Sequence, residues 1–145
     1  MKAPDPKYPL HHITPVQIRF NDIDILGHLN NAVYLQFLDL AKAAYFKDVI
    51  AEMFDFCAIE LVIVHIDIDF YAPSFIDTPL QVLSAVTRIG DRSLTIEQRV
   101  IDTVTAEVKC VASTVLSGYD HATHTSAPIS PEWRARISAY ERRSL

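Results

Sequence analysis

Residues 20–34, FNDIDILGHLNNAVY, join the first apolar segment of the chain to its longest one. The stretch contains two aspartates, a glycine, a histidine and three asparagines between those segments. Polar side chains in such a place can cap the unpaired N–H groups of a helix. They can also hold a reaction centre, because many reactions need an attacking group and hydrogen-bond donors close together. The rest of the sequence has to distinguish these two roles.

The segments on either side of this stretch predict a strand and a long helix. In residues 13–20, Val16, Ile18 and Phe20 alternate with polar residues, which indicates a strand with one wet face. Residues 31–54 contain no glycine or proline and are mostly apolar. Their polar residues form one narrow stripe at helical spacing, namely Gln36, Asp39, Lys42, Lys47 and Asp48. A helix that is apolar over most of its circumference is predicted to be buried, here under a sheet that wraps around it.

Four further strands and a short helix are predicted after the long helix. The strands are expected at residues 60–71, 79–89, 93–102 and 106–119. A linker follows, and Ser130 before Pro131 then predicts a helix over about 131–143 with Trp133, Ile137 and Tyr140 on one face. The order β-α-β-β-β-β predicts an α+β domain, an antiparallel sheet on one long central helix. We expect residues 1–145 to form a single domain with its core at about 14–120.

Composition excludes several classes of protein. The net charge of −5 is unlike that of a nucleic-acid-binding protein. Residues 1–12 have no apolar core and do not resemble a signal peptide, and no stretch is apolar enough to span a membrane. Cys57 and Cys110 match no metal-binding spacing and are expected to be free thiols in a reducing cytoplasm. Half of the chain is apolar, which suggests that some surface is buried between subunits.

A resemblance to a known family rests on three blocks of sequence. The opening stretch matches the pattern D-x-D-x-x-G-H-x-N-N-x-x-Y without a gap, through Asp22, Asp24, Gly27, His28, Asn30, Asn31 and Tyr34. Residues 68–82 and 89–100 supply the second and third blocks in the same order. Together the blocks resemble the hotdog-fold acyl-CoA thioesterases of the 4-hydroxybenzoyl-CoA thioesterase type, over about residues 14–120. The resemblance implies a hotdog fold, hydrolysis of an acyl-CoA thioester to the free acid and coenzyme A, no cofactor or metal, and a homodimer or homotetramer.

Asp24 is the predicted catalytic carboxylate. In the similar thioesterases the second aspartate of the D-x-D pair acts as nucleophile or general base. A carboxylate just before a helix also suits this chemistry physically, because the helix N-terminus offers unpaired N–H groups and a positive dipole end for the oxyanion. The alternative is that Asp24 only caps a turn. Asp22 is expected to be structural.

The resemblance assigns roles to the other residues of the motif. Asn31 is expected to provide the backbone N–H that polarises the thioester carbonyl, and His28 is a candidate catalytic residue or a hydrogen-bonded turn residue. Gly27, Asn30 and Tyr34 are expected to contact the substrate, although Asn30 could serve only as the helix cap and Gly27 only as a turn residue.

Other candidates lie outside the motif. Ser93, contributed by a neighbouring subunit in some relatives, and Arg92 are candidate substrate-binding residues. Arg88, Arg92 and Lys109 could meet the phosphates of coenzyme A, or could be ordinary surface charges. His65, Asp67 and Asp69 share one strand face, but a half-exposed strand shows the same alternation, so no metal site is predicted.

Two other functions remain open at this stage. The first is a hotdog hydratase or dehydratase acting on acyl thioesters, and the second is a non-catalytic acyl-CoA-binding protein. The acyl group, and whether coenzyme A or acyl carrier protein carries it, depend on side chains such as Phe37, Phe54, Phe56 and Phe70.

Overall fold

A computed structural model describes residues 1–50 and 61–145 of the chain. The elements, in chain order, are β1 (His12–Val16), a 3-10 turn (Phe20–Asp22), α1 (Asn31–Ile50), β2 (Leu61–Phe70), β3 (Leu80–Ile89), β4 (Ser93–Asp102), β5 (Val108–Asp120), β6 (Thr125–Ser126) and α2 (Pro131–Glu141). Residues 51–54 of the predicted helix lie outside the described residues, as do Phe54, Phe56 and Cys57.

The strands of the described residues form one antiparallel sheet in the order β1-β3-β4-β5-β2, and the short β6 pairs with β5. Helix α1 packs across this sheet, and α2 packs against α1 and β3. The α+β class and the antiparallel sheet on one long helix are therefore confirmed. The arrangement is the hotdog fold.

The core lies between α1 and the sheet, in two clusters. The cluster near the start of α1 joins Val33, Tyr34, Phe37, Leu38 and Ala41 to β3, β4 and β5. The second cluster joins Tyr45, Val49 and Ile50 to the far ends of these strands and to Ile137 of α2. The first cluster places the N-terminus of α1 at one end of the sheet. Both clusters bury apolar side chains from elements that are distant in sequence, which is the main stabilising contribution to such a domain.

Helix α1 is less buried than its composition predicted. Leu35 and Leu40 face outward, with Leu40 54% exposed. Lys42, which belongs to the predicted polar stripe, is in contrast buried, and its ammonium group binds the carboxylate of Asp39 at 3.2 Å. Burial lowers the pKa of Lys42, while the nearby Asp39 acts in the opposite direction. Apolar content alone could not show which face of α1 meets the sheet.

The first strand ends earlier than its pattern predicted. β1 stops at Val16, and Phe20, the last apolar residue of the expected alternation, is 87% exposed. The chain leaves the sheet there because it enters the 3-10 turn, where the N–H of Asp22 donates to the carbonyl of Arg19 at 2.9 Å. This early exit brings the chain to the N-terminus of α1.

The C-terminal helix begins and packs as predicted. Ser130 caps it by accepting a hydrogen bond from the N–H of Trp133, and Ile137 is fully buried. The helix ends at Glu141 rather than near 143, because Arg142 adopts a left-handed conformation with φ of 55°. No helix in the described parts of the chain is long and apolar enough to cross a membrane.

Candidate active site

The turn between β1 and α1 is anchored by Asp22. Its buried carboxylate accepts hydrogen bonds from the backbone N–H of Arg19 at 2.8 Å and from the Arg19 guanidinium at 2.9 and 3.2 Å. The hydrogen bond from the guanidinium is the main reason that the pKa of Asp22 lies below its usual value. The carbonyl of Asp22 also accepts from the N–H of Asn30 at 2.8 Å. Asp22 thus occupies a structural position, as expected from the sequence.

Asp24 organises the tip of the turn. One oxygen of its carboxylate, Oδ1, accepts from the N–H groups of Leu26 at 2.9 Å and His28 at 3.2 Å. Its backbone N–H donates to the carbonyl of His28 at 2.8 Å, and its carbonyl accepts from the N–H of Gly27 at 3.0 Å. The side chain is only partly buried. In the described parts of the chain no donor binds the second oxygen, Oδ2, so this oxygen can face a substrate or a water molecule.

Gly27 is required by the shape of this turn. Its φ of +81° lies in the left-handed region, which strains residues that have a Cβ atom. An added Cβ would meet no atom within 4 Å, so space around the residue is not the constraint. The positive φ supports the predicted role in backbone geometry, and close approach of a substrate stays a prediction.

The N-terminus of α1 offers a backbone donor to a substrate. The side chain of Asn30 caps the helix, with its Oδ1 accepting from the N–H of Ala32 at 3.0 Å, and the N–H of Val33 donates to the Asn30 carbonyl at 2.9 Å. Within residues 1–50 and 61–145, no acceptor binds the N–H of Asn31. This N–H lies at the positive end of the helix dipole, where an oxyanion is stabilised. Asn30 therefore caps the helix, and its contact with a substrate stays a prediction.

His28 and Tyr34 both pack against the loop between β2 and β3. The ring of His28 meets Phe75 edge-on, with the centroids 5.4 Å apart. Tyr34 is buried, and its hydroxyl lies 2.8 Å from the hydroxyl of Ser74. Burial raises the pKa of Tyr34, so its phenol stays protonated. Within one chain Tyr34 thus supports the start of α1 from inside the core.

Ser93 and Arg92 lie far from this turn in the same chain. Val16, where the chain leaves β1, pairs with Leu80, which pairs with Asp102 at the end of β4. Ser93 begins the same ten-residue strand. At ~3.3 Å per residue, the Ser93 end of β4 is roughly 30 Å from its Asp102 end, which lies beside Val16. These candidates can join the site only from a second subunit.

The positively charged candidates for phosphate binding have other contacts. The Arg92 guanidinium donates to the carbonyl of Ser126 at 2.8 Å and so holds β6 in place. Lys109 is buried, and its ammonium group donates to the carbonyl of Pro73 and to the carboxylate of Glu107. Arg88 is exposed on β3. Arg88 and Arg92, whose side chain is 52% exposed, therefore both face solvent, whereas Lys109 does not.

The face with His65, Asp67 and Asp69 lies on the edge strand β2. The imidazole of His65 is 3.5 Å from the carboxylate of Asp67, and both side chains are exposed. Among the described residues no group of three or more His, Cys, Asp or Glu side chains is arranged to hold a metal ion. The thiol of Cys110 is free and buried, and burial raises its pKa to about 12.

Sequence reasoning missed the contribution of the β2–β3 loop. Ser74 and Phe75 contact Tyr34 and His28, and the carbonyl of Ser74 accepts from the N–H of Leu29 at 2.8 Å. These residues belong to the second block of the family resemblance, but nothing in their spacing indicated contact with the turn. The structure brings the candidate residues Asp24, His28 and the N–H of Asn31 into one short segment, which Ser74 and Phe75 contact.

Comparison with known proteins gives a consistent picture. The sequence profile of a family described as the thioesterase-like superfamily matches residues 18–137. No curated protein sequence matches the chain. Among solved structures, a thioesterase from Thermus thermophilus complexed with coenzyme A and zinc is 29% identical, with a TM-score of 0.82 over 92% of this chain and 96% of that one.

Two other solved structures share the fold at lower identity. A thioesterase described as predicted, from Bacillus stearothermophilus, is 21% identical, with a TM-score of 0.82 over 90% of this chain and 96% of that one. A 1,4-dihydroxy-2-naphthoyl-CoA thioesterase from Synechocystis is 19% identical, with a TM-score of 0.78 over 87% and 94% of the two chains.

Proposed function

The chain belongs to the thioesterase-like superfamily, and we propose that it hydrolyses an acyl-CoA thioester with the carboxylate of Asp24 as nucleophile or general base. That the protein is a thioesterase follows from the family and from its structural neighbours. The proposal adds the carrier and the catalytic group. Coenzyme A is favoured because one neighbour is complexed with it and another is named for a CoA thioester.

One observation carries the assignment of Asp24. Its carboxylate is held through Oδ1 by two backbone N–H groups, while Oδ2 is bound by no donor in the described residues, directly before a helix whose Asn31 N–H has no acceptor there. An attacking oxygen and an oxyanion donor thus belong to one short segment. Such preorganised donors commonly contribute a factor of about 10² to 10³ in rate.

Two mechanisms of hydrolysis are compatible with this geometry. As general base, Asp24 takes a proton from water, and the resulting hydroxide attacks the thioester carbonyl. As nucleophile, the carboxylate attacks the carbonyl carbon itself and forms an anhydride, which water then hydrolyses. In both routes the N–H of Asn31 stabilises the oxyanion, the C–S bond breaks, and the thiolate of coenzyme A takes up a proton. The products are the free acid and coenzyme A.

A panel of acyl-CoA substrates tests the function directly. We expect free thiol to be released from at least one class of straight-chain or aromatic acyl-CoA, at a rate that is unchanged when a chelator is present, because no step needs a metal. Thiol trapping with a chromogenic disulfide measures the release, and an assay without enzyme gives the background. Binding of acyl-CoA without thiol release from any member of the panel would instead support a non-catalytic binding protein.

We further propose that the protein acts as a homodimer or larger homo-oligomer. Among the described residues, the edge strand β2 carries four exposed apolar side chains, Ile63, Val64, Ile66 and Phe70. An unpaired apolar edge strand favours association. Ser93 and Arg92 could also reach a substrate only from a second subunit.

Sedimentation at micromolar concentration is expected to show a dimer or larger species. Val64→Lys, at 59% exposure on β2, should shift the protein towards the monomer, because the association would bury the ammonium group. Val104→Lys, at 81% exposure in the β4–β5 turn, is the matched control and should leave the assembly unchanged. An active, monomeric parent protein would contradict the proposed assembly.

A further inference from the structure

Ser74 lies in the loop between β2 and β3 and is completely buried. It belongs neither to the turn with Asp24 nor to α1, yet it contacts both. We infer that Ser74 is a positioning residue for the reaction centre, and this inference rests on the hydrolysis proposed above. Its role would be to fix the distance between the carboxylate of Asp24 and the N–H of Asn31.

The first contact fixes the turn. The carbonyl of Ser74 accepts from the N–H of Leu29 at 2.8 Å. Leu29 is buried in the core and follows His28, whose backbone N–H and carbonyl both bind Asp24. The Ser74 carbonyl thus holds the backbone midway between the catalytic carboxylate and the start of α1.

The second contact fixes the helix. The Ser74 hydroxyl lies 2.8 Å from the hydroxyl of Tyr34, which stands one turn of helix beyond Asn31. Both residues are buried, and among the described residues each hydroxyl has the other as its hydrogen-bond partner, so removing one leaves the other unpaired there. One residue therefore ties the turn to the first turn of α1.

The loop that carries Ser74 is itself held from β5. The N–H of Tyr71 donates to the carbonyl of Lys109 at 2.8 Å, and the ammonium group of Lys109 donates to the carbonyl of Pro73 at 3.0 Å. Lys109 is buried, which favours the persistence of this contact. The position of Ser74 is consequently set by the sheet, which is the rigid part of the fold.

Precise placement matters for this kind of chemistry. Attack on a carbonyl depends on the position of the attacking oxygen and of the oxyanion donor, and a displacement of ~1 Å can cost about 10²-fold in rate. Loss of the Ser74 hydroxyl would free the first turn of α1 from the loop while leaving every catalytic group present. The expected signature is a lower kcat with little change in KM.

Ser74→Ala tests the inference with two readouts. We expect kcat for thiol release to fall by about tenfold or more while KM stays within about twofold. Amide hydrogen exchange, followed by NMR, should become faster at His28, Leu29 and Asn30, whose N–H groups are hydrogen-bonded in the parent. The exchange measurement does not require turnover, so it tests the inference even if no substrate is found and the proposed function fails.

Ser84→Ala is the matched control. Ser84 is equally buried and binds one side chain, Gln98, at 3.1 Å in the middle of the sheet. Ser84→Ala should lower the melting temperature by about as much as Ser74→Ala does, without changing kcat or the hydrogen exchange of the amides in the turn. Tyr34→Phe should reproduce the effect of Ser74→Ala, and the double variant should be little worse than either single one, because both remove the same hydrogen bond.

The inference would be overturned if Ser74→Ala resembled Ser84→Ala, with the parent kcat and unchanged exchange at the turn. A loss of activity in Asp24→Asn but not in Ser74→Ala would contradict the inferred role of Ser74 and leave the proposed role of Asp24 in place. Absence of thiol release by the parent, together with faster exchange at the turn in Ser74→Ala, would remove the proposed function and keep the structural coupling.

Discussion

Glu141→Ala is expected to lower the free energy of unfolding by about 3 kcal/mol, because it leaves two buried donors unpaired at ~1–3 kcal/mol each. The buried carboxylate of Glu141 accepts from the hydroxyl of Tyr45 at 2.5 Å and from the N–H of Val86 at 2.9 Å. Tyr45 is itself fully buried. Burial and the bond to Glu141 raise the pKa of its phenol, which therefore stays protonated and donates.

The contact matters because β3 is irregular at this point. The pairing of β3 with β4 shifts register between Val86 and Arg88. The backbone N–H and carbonyl of Val86 therefore lie at an interruption of the regular hydrogen bonding between the two strands. The last residue of α2 and the segment after it supply both partners: Glu141 accepts from the N–H, and the guanidinium of Arg143 donates to the carbonyl at 2.8 Å. The C-terminal helix thus completes the central sheet.

Thermal unfolding measures this effect. A loss of about 3 kcal/mol should lower the melting temperature by roughly 10 °C for a domain of this size. Glu141→Gln keeps an oxygen that can accept both hydrogen bonds, so it should cost less. Glu132→Ala, on the exposed side of the same helix where its carboxylate pairs with Arg136, is the control and should cost under about 1 kcal/mol. Equal melting temperatures for Glu141→Ala and Glu132→Ala would contradict this account.

The parts of the fold that could be predicted are those whose pattern lies within a few neighbouring residues of the sequence. Alternation and helical spacing located β2 to β5 and α1 within a few residues, and Ser130 with Pro131 marked the start of α2. The turn at Asp22 to Asn31 was also visible, because aspartate, glycine and asparagine in this order are typical of a capped helix start.

The parts that could not be predicted depend on contacts between distant residues. Strand β6 lies in a segment that looked like a linker; it pairs with Tyr119 and Asp120 of β5, and Ala127, the residue after it, approaches Gly118 closely. A Cβ on Gly118 would lie 2.1 Å from the carbonyl oxygen of Ala127. The burial of Lys42 and the contact of Ser74 with Tyr34 likewise depend on tertiary packing, which no periodicity in the sequence records.

Asp24→Asn is expected to have the largest effect on activity. The amide can still accept from the N–H groups of Leu26 and His28, so the turn should keep its shape. It cannot act as a base or as a carboxylate nucleophile, and loss of such a group commonly costs ~10² to 10⁴ in rate. The variant should melt within a few degrees of the parent and still bind acyl-CoA.

The structure identifies a suitable control for this substitution. Asp22→Asn is not one, because it breaks the ion pair with Arg19 that anchors the turn. Asp120 makes the same kind of turn at the β5–β6 hairpin, with its Oδ1 accepting from the N–H groups of Ala122 at 2.8 Å and Thr123 at 3.4 Å. Those hydrogen bonds lower the pKa of the Asp120 carboxyl. Asp120→Asn should therefore share the structural cost of Asp24→Asn without touching the reaction centre.

The most direct measurement is kcat for thiol release by Asp24→Asn and Asp120→Asn, side by side with the parent on one acyl-CoA that the parent clearly hydrolyses. The account predicts a loss of ~10² or more for Asp24→Asn and a rate close to that of the parent for Asp120→Asn. Equal rates for Asp24→Asn and the parent would contradict it, and the polar side chains before α1 would then only shape the turn.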